Sequence, residues 1–273
     1  QIAGVIKYLE REKGATKNPT GGTIAYYWKN RADIVGAKLD AIDFSAVTNV
    51  RETWKGSSLT SFPALDLSSV TEAYEAWENC TDMVSFGACR FSTAAGATNF
   101  AGAWMACSSL TLFPAINLSR GGNFGYAWYN CVAMTDFLAT DLDSGTTFFR
   151  AWKDCSSLTS FPALSLVSST NFLEAWAGCS SMIDFLATDL DSGTSFNSTW
   201  QSCSSMTSFP ALSLAAGTSF SYTWYECSAM TSCPVTDLDS GTTFRSAWQY
   251  CSSLTSFPAL SLASSTNFDF TWQ

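Results

Sequence analysis

The stretch that decides the fold runs from Trp152 to Ala175 and reads WKDCSSLTSFPALSLVSSTNFLEA. It recurs along the chain. Tryptophan, a rare residue, stands at Trp104, Trp128, Trp152, Trp176, Trp200, Trp224, Trp248 and Trp272, which makes seven consecutive gaps of 24 residues. Trp28, Trp54 and Trp77 extend the series toward the N-terminus with gaps of 26, 23 and 27. A cysteine follows three residues after the tryptophan, from Cys80 to Cys251, and a phenylalanine precedes it by four, from Phe100 to Phe268. Self-similarity at such a period is the signature of stacked repeats.

Each repeat carries two periodicities. Phe172, Ala175, Trp176 and Cys179 stand at i, i+3, i+4 and i+7, one face of a helix. The residue before each such Phe (Asn99, Asn123, Thr147, Asn171, Ser195, Ser219, Thr243, Asn267) is an N-cap type, so the pattern predicts a short capped helical turn from Phe to Cys. Further on, Leu164 and Leu166 alternate with Ser165 and Val167, the period of a strand. Pro162 lies just ahead, where a strand start tolerates a missing N–H. One coil is too small to bury its own apolar face, and stacking on two neighbours supplies the cover. The expected fold is a solenoid of 24-residue coils, each with a short strand in a parallel sheet and a short helical turn. The sheet spacing should be about 4.8 Å per coil.

The run SSLTSFPALDLSSVTEAYEAW, from Ser57 to Trp77, resembles the repeat of BspA-like leucine-rich-repeat surface proteins. Trp takes the place of the family's Phe, and the strand segment is about two residues shorter. Trp-bearing CSSLTSFP repeats are also similar to those of phage tail-fibre and adhesin-type proteins. The resemblance spans residues 40 to 273 and implies a leucine-rich-repeat-like solenoid. For function it implies attachment to host-surface glycan or protein at a virion or cell surface, outside the cell, and it carries no catalytic residues.

Composition narrows the classes independently. The 273 residues are 47% hydrophobic and 14% charged, and the net charge is −9. That is too apolar for a disordered chain and the wrong sign for a nucleic-acid partner. No apolar run is long enough to insert in a membrane. Histidine is absent, which removes the commonest general base and metal ligand. No enzyme activity and no cofactor is expected.

The cysteine row reads as a ladder of free buried thiols, with disulfides and metal as the sharper alternatives. No CxxC pair occurs. Stacked side chains point the same way rather than at each other. Cys233 occupies the slot of Phe161, Phe209 and Phe257, and Cys89 that of Leu164. A second order doubles the period to 48 residues: coils with FPALSL alternate with coils carrying TDLDSGT (Thr140–Thr146, Thr188–Thr194, Thr236–Thr242). In the latter, Leu138 or Leu186 replaces Pro and Thr replaces the inward Leu, read as volume compensation or as duplication of a two-coil unit. The pairs Asp141/Asp143, Asp189/Asp191 and Asp237/Asp239 flank an inward Leu and should face solvent. DxDxG also has the look of a calcium loop, but the further ligands are missing. They are weak metal candidates, and still weaker ones for a glycosidase carboxylate pair. The Ser/Thr rows are expected to form hydroxyl ladders.

Positions identical from coil to coil maintain the stack, and those that vary are free of that duty. Variation gathers around Trp, on the solvent side of the turn. The candidate ligand-binding residues are Tyr126, Tyr129, Phe149, Arg150, Tyr222, Tyr225, Arg245 and Tyr250, with Lys153 and Phe270 beside them. Exposed aromatics with a few charges suit sugars or protein surfaces; neutral drift on a solvated face is the alternative.

The N-terminal part differs. Residues 1–55 carry nine of the 14 basic residues and a net +3, against −12 for the rest. Ile2, Val5, Ile6 and Leu9 mark a short amphipathic helix, and Asn18–Gly22 a turn. Residues 1–27 are therefore expected to cap or attach the solenoid of 28–273. At the other end Trp272-Gln273 shows no capping pattern, so further chain or another subunit is expected to cover it. A structural spacer or assembly module is the alternative function.

Overall fold

The computed structural model describes residues 23–25, 28–32, 39–40, 42–91, 98–257 and 264–269. The expected N-terminal helix and the Trp272 terminus lie outside these residues, as does Phe270.

The chain winds into a stack of coils that touch their neighbours along three lines. On the first, Ser61–Phe62, Ser85–Phe86, Leu112–Phe113 and Asp136–Phe137 form one parallel sheet, and Ser160–Phe161 pairs with Asp184–Phe185. Single bridges carry this line on from Asp184 through Ser208 and Ser232 to Ser256. On the second, Asp66–Leu67 pairs with Arg90–Phe91, and bridges join Asn117 to Asp141, Ser165 to Asp189 and Ser213 to Asp237. The third runs from Thr23 through Asn49 and Glu72 and then follows the predicted cap residues from Asn99 through Asn123 and onward to Asn267. Like residues meet in register: Phe62 with Phe86, Phe113 with Phe137, Phe161 with Phe185.

The strand signal is displaced from its predicted place. Leu164 and Leu166 are buried and Val167 is exposed, as the alternation requires. Their segment, however, makes only the single bridge at Ser165, while the paired strand is Ser160–Phe161, just before Pro162. Proline ends the pairing because it has no N–H to donate.

The predicted helical turn is a different structure. Among the described residues, helical geometry is confined to a 3-10 fragment at Leu39–Asp40. Around Trp152 the amides alternate in duty. Those of Phe148, Arg150, Trp152 and Asp154 donate to the next coil, to Asn171, Leu173, Ala175 and Ala177, at 2.8–3.0 Å. Those of Ala151, Lys153 and Cys155 close tight turns onto Phe148, Arg150 and Trp152 at 3.0–3.3 Å. A helix cannot persist here, because Arg150 (φ 54°) and Asp154 (φ 61°) on either side of Trp152 are left-handed. The turns thus spend half their amides inside the coil and half on the next coil. The cap chemistry survives without its helix: Asn99, Asn123, Asn171 and Asn267 accept the backbone N–H two residues on at 2.9–3.1 Å.

This backbone brings the aromatic rows into columns. Successive indoles from Trp54 to Trp248 stack with ring centroids 5.0–5.7 Å apart and interplanar angles of 1–11°. Trp152 touches five rings: Trp128 and Trp176 in its own column, Phe137 and Phe161 edge-on, and Phe148 nearly parallel. The indole N–H groups of Trp54 through Trp224 are buried, and none makes a hydrogen bond. Burying such a donor costs about 1–3 kcal/mol. Ring pairs contribute about 0.5–1.5 kcal/mol each, so five contacts outweigh the orphaned donor.

Each thiol of the cysteine row donates to the carbonyl of the tryptophan one coil back, Cys155 to Trp128 and Cys179 to Trp152 at 3.1–3.2 Å. All ten cysteines are free. Cys233 takes the phenylalanine slot and is buried there. In the coils of the double period the Thr expected to point inward does not do so. In the Asp-type coils Ala139, Ala187 and Val235 occupy the inward place, Thr140 and Thr188 are exposed, and Leu138 and Leu186 stand 47% and 51% exposed.

Burial pushes the thiols up, Cys80 to about 11 and Cys131 to about 12. They therefore stay protonated and covered at neutral pH. The nine buried cysteines are expected not to react with a thiol reagent in the native protein and to react together on denaturation. Cys251, less covered, should lead. Early labelling of the row as a whole would contradict this packing.

Candidate functional site

The surface around the tryptophans is built from residues whose backbone the core dictates. Positions two before and two after each Trp are left-handed in nearly every coil: Tyr126, Asn130, Arg150, Asp154, Glu174, Gly178, Ser198, Ser202, Tyr222, Glu226, Ser246 and Tyr250, with φ between 53° and 77°. Glycine adopts this conformation without strain. For other residues it costs about 1–2 kcal/mol, with Asn and Asp the best tolerated. Gly56, Gly102 and Gly178 fill such slots. The aromatic and Arg occupants are therefore poor choices for stability.

Those occupants form two clusters. In the first, the Tyr126 ring stands edge-on to Tyr129 at 5.8 Å and to Phe149 at 4.9 Å. The Arg150 guanidinium lies over Phe149 at 4.9 Å and Tyr126 at 5.7 Å, and it donates to the Tyr126 hydroxyl at 3.2 Å and to Glu174 at 2.7 Å. Lys153 closes on the same carboxylate. Burial opposes the charge on Glu174, but the two cations prevail and hold it below its ordinary pKa. In the second cluster, Tyr225 lies edge-on to Tyr222 at 5.6 Å and to Tyr250 at 5.4 Å, and Arg245 sits 6.0 Å over Tyr222. Tyr250 is half exposed.

The eight candidates thus fall into two groups of four, of which Tyr126, Tyr129 and Phe149 are equivalent to Tyr222, Tyr225 and Arg245 four coils further on, while Arg150 and Tyr250 stand on opposite sides of their tryptophans. Between the groups the same slots hold Leu173, Glu174, Ala177 and Gly178 around Trp176, and Asn197, Ser198, Gln201 and Ser202 around Trp200. On the N-terminal side the same slots around Trp104 hold Ala101, Gly102, Met105 and Ala106.

Nearer the N-terminus the same face carries a charge network that sequence reading missed. Lys55 contacts Glu75 and Glu78 at 2.5 Å each, and Lys29 contacts Glu52 at 2.5 Å. Arg51 lies 4.2 Å over the Tyr74 ring. The signal was present as Glu and Lys in equivalent slots beside Trp54 and Trp77, visible only once those coils are stacked in register. Burial, and then the neighbouring Glu75, push the Glu78 carboxyl up to about 7. Burial also disfavours the Glu75 charge, but hydrogen bonds from Glu78 and Lys55 hold its pKa down.

The aspartate pairs lie elsewhere. Asp143 and Asp191 donate their amides to the Asp141 and Asp189 carboxylates at 3.0 Å, and Asp239 to Asp237 at 3.3 Å. These bonds satisfy the turn locally. Desolvation, and then the Asp141 charge, raise Asp143. Among the described residues no group of three or more acidic or cysteine side chains is placed to hold a metal ion. Among them, too, no helix is long and apolar enough to cross a membrane.

In comparisons with known proteins, the chain matches no family model and no curated protein.

The Glu78 arrangement has a pH consequence. A carboxyl whose folded pKa lies above its unfolded value makes the folded state the better proton binder, so stability falls as pH rises from about 4.5 to about 7. Glu78→Gln lacks that loss. Its stability relative to the native chain should improve by on the order of 1–2 kcal/mol between pH 5 and pH 8 in urea titrations. A difference that stays constant with pH would contradict the assignment.

Proposed function

We propose that this chain is a non-catalytic attachment protein, acting outside the cell at a virion or cell surface, whose turn face binds host-surface glycan or protein. The resemblance to BspA-like leucine-rich-repeat and tail-fibre repeats supports the same reading, and within it the solenoid is leucine-rich-repeat-like. The observation that carries the proposal is the occupancy of the left-handed slots. Tyr126, Arg150, Tyr222 and Tyr250 sit where glycine or asparagine costs least. They gather with neighbouring aromatics into two clusters instead of scattering. Bulky residues held against a backbone preference mark sites of function more often than of stability. Drift alone would favour the cheap residues. Rings with a polar rim, on a rigid scaffold, are the usual anchors of recognition.

A spacer or assembly role is the second reading. It is favoured by apolar side chains exposed on and beside the strand line, Val84, Leu112, Leu138, Ile183 and Leu186.

Tyr222→Gly separates function from stability. It relieves a left-handed tyrosine (about 1–2 kcal/mol), adds glycine's entropy cost (about 0.5–1 kcal/mol) and removes a ring contact of about 0.5–1.5 kcal/mol. The unfolding free energy should therefore change by less than about 1 kcal/mol. Attachment to host cells or isolated surface components should weaken about tenfold or more, the loss typical of an interface anchor. Attachment unchanged by Tyr222→Gly and by Tyr126→Gly would sink the choice of face.

A further inference from the structure

We infer that the ligand is an uncharged, extended polysaccharide lying along the solenoid axis and touching both aromatic clusters at once. This rests on the attachment reading and names its ligand class.

Spacing is the first argument. Three residues of each cluster occupy the same slots four coils apart, so at about 4.8 Å per coil the clusters lie on the order of 19 Å apart. A compact ligand reaches one cluster, and a chain along the axis reaches both. Relief is the second. Of the coils between the clusters, that of Trp176 places the small Ala177 and Gly178 in these slots beside Leu173 and Glu174, the latter already engaged by Arg150 and Lys153, and that of Trp200 places Ser198 and Ser202 there with the neutral amides of Asn197 and Gln201. Rings at each end and amides between suit a sugar chain, which has apolar C–H faces and many hydroxyls.

Charge is the third argument. Across these turns Arg150, Lys153 and Arg245 are balanced by Asp154, Glu174 and Glu226, and Glu174 already engages two of the cations. An anionic glycan or a nucleic acid would need a basic surplus. The backbone supplies the fourth. A peptide adding as a strand needs unpaired amides, but here Ser198 donates to Ser221 and Ser202 to Tyr225 at 2.7–2.8 Å. What this face leaves for recognition is its side chains.

The test measures binding of the full chain to linear, uncharged oligosaccharides graded in length, in glucose, mannose, xylose and N-acetylglucosamine series. A sulfated series serves as the charged control. In at least one neutral series affinity should rise by about a hundredfold once the oligomer exceeds the span between clusters, the gain expected when two sites are engaged by one ligand. Tyr126→Ala and Tyr225→Ala should each remove that rise and leave the short-oligomer affinity of the intact cluster. Near-native tryptophan emission in both variants confirms that they fold. Affinity independent of length, a rise lost through only one of the two variants, or preference for the sulfated series would each overturn the inference. Failure to bind any glycan, with host-cell attachment still lost in the variants, overturns the inference and leaves the attachment reading standing. Host-cell attachment unaffected by both variants overturns both.

Discussion

The interaction on which the rest depends is the stacking of one indole on the next. Each Trp lies almost parallel to its neighbours above and below, and the ring distance is close to the spacing of paired strands. That coincidence makes a parallel backbone ladder and an aromatic column compatible in one structure. Other rows conform to the same repeat. The phenylalanines form two further columns, and each thiol bonds the carbonyl of the preceding tryptophan. The column is tolerant of what it leaves unsatisfied, because the buried indole N–H groups lie among enough ring contacts to offset their cost.

The same constraint shapes the outer surface. To point Trp inward from a tight turn, the backbone enters the left-handed region on both sides of it. Alternate amides are then free to reach the next coil. The solvent-facing side chains of these turns stand outside the aromatic columns, and some of them join neighbouring coils through ion pairs and ring contacts. Their backbone positions are nonetheless rigid, since the core holds them. A surface of this kind can change its chemistry from coil to coil, from ion pairs beside Trp54 and Trp77 to aromatic clusters further along. The scaffold is left intact throughout.

Much of the fold was legible because period and burial are properties of the repeat itself. The inward places of Trp, Cys, Phe and Leu follow from identity between coils, and so does the free thiol ladder. The helical turn was misread because residues at i, i+3 and i+4 share a face in a run of tight turns as well as in a helix. The N-cap residues added to the illusion, since Asn171 accepts the amide of Leu173 in either case. The strand was placed one segment late because Leu164 and Leu166 alternate, whereas pairing depends on amides that Pro162 interrupts. The eight candidate residues were found as variable positions, but their division into two clusters was not, because cross-coil contacts such as Arg150 with Tyr126 need the register. The Glu75–Glu78 network escaped for the same reason.

The central claim is that the indoles form a dry continuous column, and quenching of tryptophan fluorescence by a soluble quencher tests it most directly. The account predicts that the bulk of the native emission is blue-shifted and inaccessible to iodide or acrylamide, and that it becomes quenchable in one cooperative step as the chain unfolds. Substantial quenching of the folded protein, with emission at the wavelength of solvated indole, would contradict it.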